Sequence, residues 1–390
     1  MRTFSKTRWV LGAATGVAVL ATVFVLRAGS SSASSPAAPA PAPATATATA
    51  VKVAATEGNS PVKNRTIAYV LTERYWAVYE GKDVKADCPD GMNDGPREQF
   101  KKLFPEDGKQ RTVMETQLAR EGYQWHPTTS PETFPFHEVK STVSYGLNLD
   151  GKTGPNDFVS PEGEQGIDNQ LYRVIGCIAN YRSSGTIYHF ENEFMRRYDN
   201  DRMVIEITGV DSLENDDDVT VTTYRGLDGL LTDATGNNTI PGGTQRIDMR
   251  WGKDYIQKLK GKIVNGVLIT EPIDRIEIPW GVTFETSGYQ VFRGMRLKLK
   301  LTPHDADGLM AGYVDVDAFT YHLNTSWSTH HHSYGQLSSP SEYRAMRRLA
   351  DGYPDPKTGQ NTAISSAVIV KFSQVFTQHP DNAKTLVTRN

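Results

Sequence analysis

Leu297, Leu299 and Leu301 alternate with Arg296, Lys298 and Lys300, so one side of the segment 289–301 is apolar and the other is charged. A period of two belongs to a β-strand buried on one face and wet on the other. Runs rich in β-branched and aromatic residues recur at 203–208, 219–224, 244–249, 262–269, 275–278 and 281–285, with Gly, Asn and Asp between them. An earlier run, 66–79, has the same character. Many short strands separated by turn residues predict a β-sandwich, jelly-roll or lectin-like, over 201–335.

The period changes near residue 170. Leu171, Val174, Ile175 and Ile178 recur at i, i+3, i+4 and i+7, which predicts a helix with one buried face and Asp168 as its N-cap. Helices are also expected at 97–104 after Asp94-Gly95-Pro96, at 112–121 before Gly122, near 188–198, and at 340–349 after Ser339 or Ser341. Segment 137–149 alternates weakly, as a strand would, and 313–321 and 362–376 fit either helix or strand. The expected fold class is therefore α+β: a smaller, mixed and α-rich N-terminal part at 61–200, the β-sandwich at 201–335, and a C-terminal segment, 336–390, packing back.

The first sixty residues set the compartment. Arg2, Lys6 and Arg8 precede an uncharged apolar run from 9 to 26, and a linker of Ala, Pro, Ser and Thr follows over 28–60. This is the pattern of a signal anchor, or of a signal peptide cut after Ala33, over 1–27. The anchor reading is favoured, because the cleavage motif lies far past the apolar run. The linker has almost no large apolar residues, so it is expected to be a disordered tether, spanning roughly 30 Å when coiled. The folded part is then extracytoplasmic, periplasmic or at the cell surface.

Charge narrows the partners. Beyond residue 60 the chain carries 37 Lys and Arg against 44 Asp and Glu, a net of −7. An acidic domain without a basic cluster argues against nucleic acid. The two cysteines, Cys88 and Cys177, are expected to form one disulfide in an oxidising compartment.

The candidate chemistry is sparse. Residues 146–153 spell the phosphate-loop pattern, but Gly154-Pro155-Asn156-Asp157 follows where a helix is needed, so a turn is expected. His330 and His332, near His331, His322 and His304, are candidate ligands for zinc or copper, although the surrounding serines favour a solvated loop. Asp305 and Asp307, and the group Asp211, Glu214, Asp216, Asp217 and Asp218, are candidate calcium ligands, but neither completes a calcium-loop pattern. Trp251, Trp280 and Trp327 are either sugar-stacking platforms or core. No catalytic residue and no obligatory cofactor is assigned, since no nucleophile elbow, zincin or haem motif occurs. Two phrases, Gly166-Ile-Asp-Asn-Gln-Leu and Asn361-Thr-Ala-Ile-Ser-Ser, are more specific than surface turns require. The reading is of a membrane-tethered, non-enzymatic binding or assembly protein, whose partner is an envelope protein complex or glycan. The alternatives are an exported carbohydrate-active enzyme and a metal-dependent oxidoreductase using the late histidines.

Overall fold

In a computed structural model the described residues are 63–93, 136–197, 202–250, 252–280, 289–325 and 339–380. They begin with β1 (Arg65–Trp76) and a short α1 (Val84–Asp87), followed by β2 (Phe158–Val159), β3 (Gln165–Ile167), α2 (Gln170–Ile175) and α3 (Thr186–Arg197). Next come β4 (Met203–Val210), β5 (Asp216–Arg225), β6 (Gly243–Arg246), β7 (Gln257–Val264), β8 (Val267–Thr270) and β9 (Ile276–Pro279). Last are β10 (Tyr289–Leu301), β11 (Asp305–Asp315), α4 (Val316–Thr325), α5 (Ser339–Leu349), β12 (Gly352–Pro354) and β13 (Asn361–Gln378). All belong to one unit, Gly58–Asn390.

Strands pair antiparallel in the order β1-β4-β5-β7-β8-β10-β11-β13, and β13 pairs back with β1, for example Tyr69 with Gln374. The sheet is therefore a closed eight-stranded barrel. This corrects the expected sandwich with an α-rich N-terminal part. Both architectures give the same inside–outside alternation along each strand, so the pattern alone could not separate them. The deciding pairing joins residues about 300 apart, β1 with β13, and no local signal carries it. The expected mixed N-terminal part supplies one stave, β1, while its β2 and β3 pair apart from the barrel. The segment expected to pack back supplies the closing strand, which settles 362–376 as strand.

Three tight hairpins, at 211–215, 265–266 and 302–304, lie at one end of the barrel. Asn265 and Gly266 both have positive φ, 51° and 78°, as a two-residue hairpin matched to strand twist requires. The four long connections all leave the other end. Inward residues such as Tyr69, Leu71, Ile205, Val221, Leu299 and Val370 form one core that fills the lumen. Eight strands enclose an interior just wide enough for that. At the far end, Trp76 stacks on Trp280 with ring centroids 4.9 Å apart, and Phe319 of α4 meets Trp76 edge-on at 5.4 Å. Leu171 and Val174 of α2 and Met346 of α5 join the same cluster and plug that end.

Outside the barrel, Leu147 and Leu149 cover Ala311 of β11 and Ala367 of β13. The alanines leave room for this strap. α2 is shorter than the periodicity suggests, and its N-cap position is Asn169, not Asp168. The Asp168 carboxylate instead accepts the backbone N–H groups of Leu149 and Asp150 at 2.6 and 3.3 Å, which pins the strap. The expected helices at 97–104 and 112–121, the apolar run 9–26 and the linker lie outside the described residues. Among the described residues no helix is long and apolar enough to cross a membrane.

Candidate functional site

Cys88 and Cys177 are bonded, with Cα atoms 5.8 Å apart, and they join α1 to the end of α2. Phe158, Ile167, Tyr172 and Val139 bury the bridge. It fixes the segments that carry the strap and α2 beside the barrel wall.

The phrases at 166–171 and 361–366 meet there. The Gln170 N–H donates to Ser365 Oγ at 2.9 Å, and Ser365 Oγ donates to Asp351 Oδ2 at 2.6 Å. The Ser365 N–H closes the pair by donating to Asp351 Oδ1 at 2.7 Å. Gly166 has φ +76°, and a Cβ on it would stand 2.4 Å from the Lys152 carbonyl oxygen. Only glycine lets the turn 148–153 sit against β3. That turn is the phosphate-loop spelling: Asn148 Oδ1 accepts the Gly151 N–H at 2.7 Å and Asp150 Oδ1 accepts that of Lys152 at 2.8 Å. No helix follows it.

These segments, with the end of α5 and the start of β13, enclose a cleft of about 410 Å³ on the outer wall. Its lining includes Asp150, Asp157, Asp168, Gln170, Arg173, Tyr313, Arg348, Asp351 and Asn361. The two guanidiniums are engaged at the rim. Arg173 lies over Phe158 at 4.2 Å and donates to the Asn156 carbonyl at 3.1 Å, and Arg348 is ion-paired with Glu138. Among the carboxylates, Asp150 pairs with Lys152 at 3.6 Å on the exposed turn, whereas Asp168 and Asp351 have no ion-pair partner among the described residues. Burial pushes Asp168 up to about 6; the N–H groups of Leu149 and Asp150 oppose the shift, and the Asp150 and Asp157 charges reinforce it. Burial also raises Asp351, against the hydrogen bonds from Ser365. The Tyr313 hydroxyl is raised by burial and by the nearby charges of Asp168, Asp351 and Asp150. Three carboxylates thus lie within electrostatic range of one phenol.

The other candidates fall elsewhere. Asp305 and Asp307 are exposed at the start of β11, beside the hairpin 302–304 and away from the cleft. His304 sits in that hairpin, where its N–H donates to Thr302 Oγ1 at 3.1 Å. Asp216 organises the β4–β5 turn by accepting the Asp211 N–H at 2.6 Å, and Asp218 pairs with Lys260 at 3.3 Å. Among the described residues no three His, Cys, Asp or Glu side chains gather as a metal set. His330, His331, His332, Trp251 and Trp327 lie outside the described residues. Trp280 is core, 2% exposed, with the Arg74 guanidinium 4.2 Å above its ring. Tyr313, Arg173 and Asp351 carry no motif in the sequence; only the two phrases pointed toward their position.

The chain matches no protein-family profile, no curated protein and no solved structure, so its site is read from its own residues.

Proposed function

We propose that this is a membrane-tethered, extracytoplasmic binding or assembly protein of the cell envelope, non-enzymatic, with the outer-wall cleft as its ligand surface. The observation that carries the reading is the cleft itself: a polar hollow of about 410 Å³ whose aspartates come from three separate stretches of chain, 150–157, 168–173 and 348–351. Concave sites with convergent polar groups are where proteins take ligands. The lumen is filled by side chains, so the ligand surface lies outside it. The buried disulfide supports an oxidising compartment, and the apolar run at 9–26 supports the tether.

Ser365 does not serve as a nucleophile. It is fully buried, spends its proton on Asp351 and accepts from Gln170, and a serine nucleophile needs an accessible oxygen and an adjacent base. The partner is an envelope glycan or protein complex. Full-length protein, isolated in detergent, should retain envelope glycans or a defined complex without converting them, and cell fractionation should place it in the envelope. Products of turnover, or a cytoplasmic location, contradict the proposal.

A second reading, an exported carbohydrate-active enzyme, draws on one observation. A carboxyl pushed up to about 6 by burial beside other carboxyl groups is the pattern of a general acid. Release of new reducing ends from envelope polysaccharide, abolished by Asp168→Asn, would favour it.

A further inference from the structure

The cleft's carboxylates are not equivalent. Asp168 is only 5% exposed. Its Oδ2 atom takes both strap N–H groups, from Leu149 and Asp150. Its Oδ1 atom accepts no hydrogen bond among the described residues and is not among the buried atoms lacking a partner. Oδ1 is therefore not fully buried, and the surface that Asp168 lines is the cleft. One oxygen is fixed by the fold, and the other is presented to whatever enters. A carboxylate held at this depth with one oxygen unmatched is costly unless a donor meets it.

The surroundings define that donor. Asp150 stands near enough to perturb the titration of Asp168, Asp351 and Tyr313, and Asp351 near enough to perturb that of Tyr313. The Tyr313 hydroxyl makes no hydrogen bond to another described residue and lies within electrostatic range of Asp168, Asp351 and Asp150. Asn361 donates one amide hydrogen to the Ala350 carbonyl at 3.0 Å, which leaves its side-chain oxygen as an acceptor at the same wall. The wall is rich in acceptors and negative, so the complementary ligand is cationic and carries several donors. An aliphatic lysine stem would need an apolar sleeve, whereas this lining is mostly polar. A ring bearing hydroxyls beside a protonated amine satisfies both requirements.

We propose that the cleft binds a hydroxylated primary amine, an amino sugar with its amine free, with Asp168 Oδ1 as the anchor of the ammonium group and Asp351, Tyr313 and Asn361 taking its hydroxyls. This rests on the binding reading above and names its ligand class. The ammonium replaces bulk water as the partner of Asp168, and the hydroxyls replace the waters of the remaining wall.

The test is calorimetric titration of the full-length protein in detergent micelles with a glucosamine trisaccharide, its fully N-acetylated counterpart, and a trilysine peptide. The free-amine sugar should bind at least tenfold more tightly than the acetylated one at pH 7.5, and should weaken at least tenfold by pH 5 as Asp168 protonates. Asp168→Asn, which keeps an acceptor for the strap N–H groups, should abolish that preference. Asp150→Asn lies on the exposed turn, needs no refolding of the wall, and should weaken the amine sugar about threefold to tenfold. Equal binding of the two sugars overturns the amine assignment but leaves a glycan-binding protein. Tighter binding of trilysine overturns the sugar assignment and favours a protein partner. No binding of any probe at millimolar concentration overturns the proposal, and the broader reading is then judged on envelope retention alone.

Discussion

Glu342 offers a test of how the helices close the barrel. It lies on α5, 1% exposed, with Tyr181 nearby. Burial alone pushes its carboxyl from 4.5 up to about 8. The folded protein therefore holds Glu342 neutral at pH values where the unfolded chain would ionise it. Stability is full below pH 4.5, falls as pH rises from 4.5 to about 8, and is flat above. At about 1.4 kcal/mol per unit, that window amounts to about 4–5 kcal/mol for a group with no solvent screening. Glu342→Gln copies the neutral acid in shape and cannot ionise. The variant should match the parent within about 1 kcal/mol near pH 4.5 and exceed it by about 3–5 kcal/mol at pH 8.5. Urea unfolding at four pH values, with a common slope, reads this directly. Glu191, Asp168 and Asp351 titrate in both proteins, so their contributions cancel in the difference. Parallel stability–pH curves for the two proteins would refute the reasoning, because they would mean that Glu342 is solvated.

Three further outcomes are expected. Replacing Cys88 and Cys177 with serine removes a bridge across 89 residues, and urea unfolding should show a loss of about 4–5 kcal/mol, as loop-closure entropy gives. Gly166→Ala puts a methyl group against the Lys152 carbonyl at a positive φ and should cost about 2–4 kcal/mol in the same assay. Asp305→Asn with Asp307→Asn should change unfolding stability by no more than about 0.5 kcal/mol, with or without calcium, because both carboxylates are exposed; a calcium-dependent shift lost in the double variant would establish a calcium site there.

Local order was legible in the sequence where one residue pattern has one structural meaning. The Leu297–Leu301 alternation gives β10, with its leucines buried. The two cysteines give the bridge, and the 171–178 periodicity gives the buried face of α2, though not its length. Closure was not legible. Inward and outward positions alternate identically in a barrel and a sandwich, and only the pairing of β1 with β13 distinguishes them. The cleft was half legible. Asp168 looked like a helix cap because Asp favours that position, but tertiary contact gave its Oδ2 atom to the strap instead. Asp351 and Tyr313 are ordinary residues in a helix-to-strand turn and on a strand, and they become a site only when β11, α5 and α2 converge.

On our proposal, the acidic outer-wall cleft is where this protein meets its envelope ligand. Hydrogen exchange of the full-length protein, with and without solubilised envelope glycan, tests it most directly. Slowed exchange at 147–151, 166–171 and 361–366, with the hairpins at 211–215 and 302–304 unchanged, is the predicted result. Protection confined to those hairpins, or binding with no protection of the cleft segments, would contradict it.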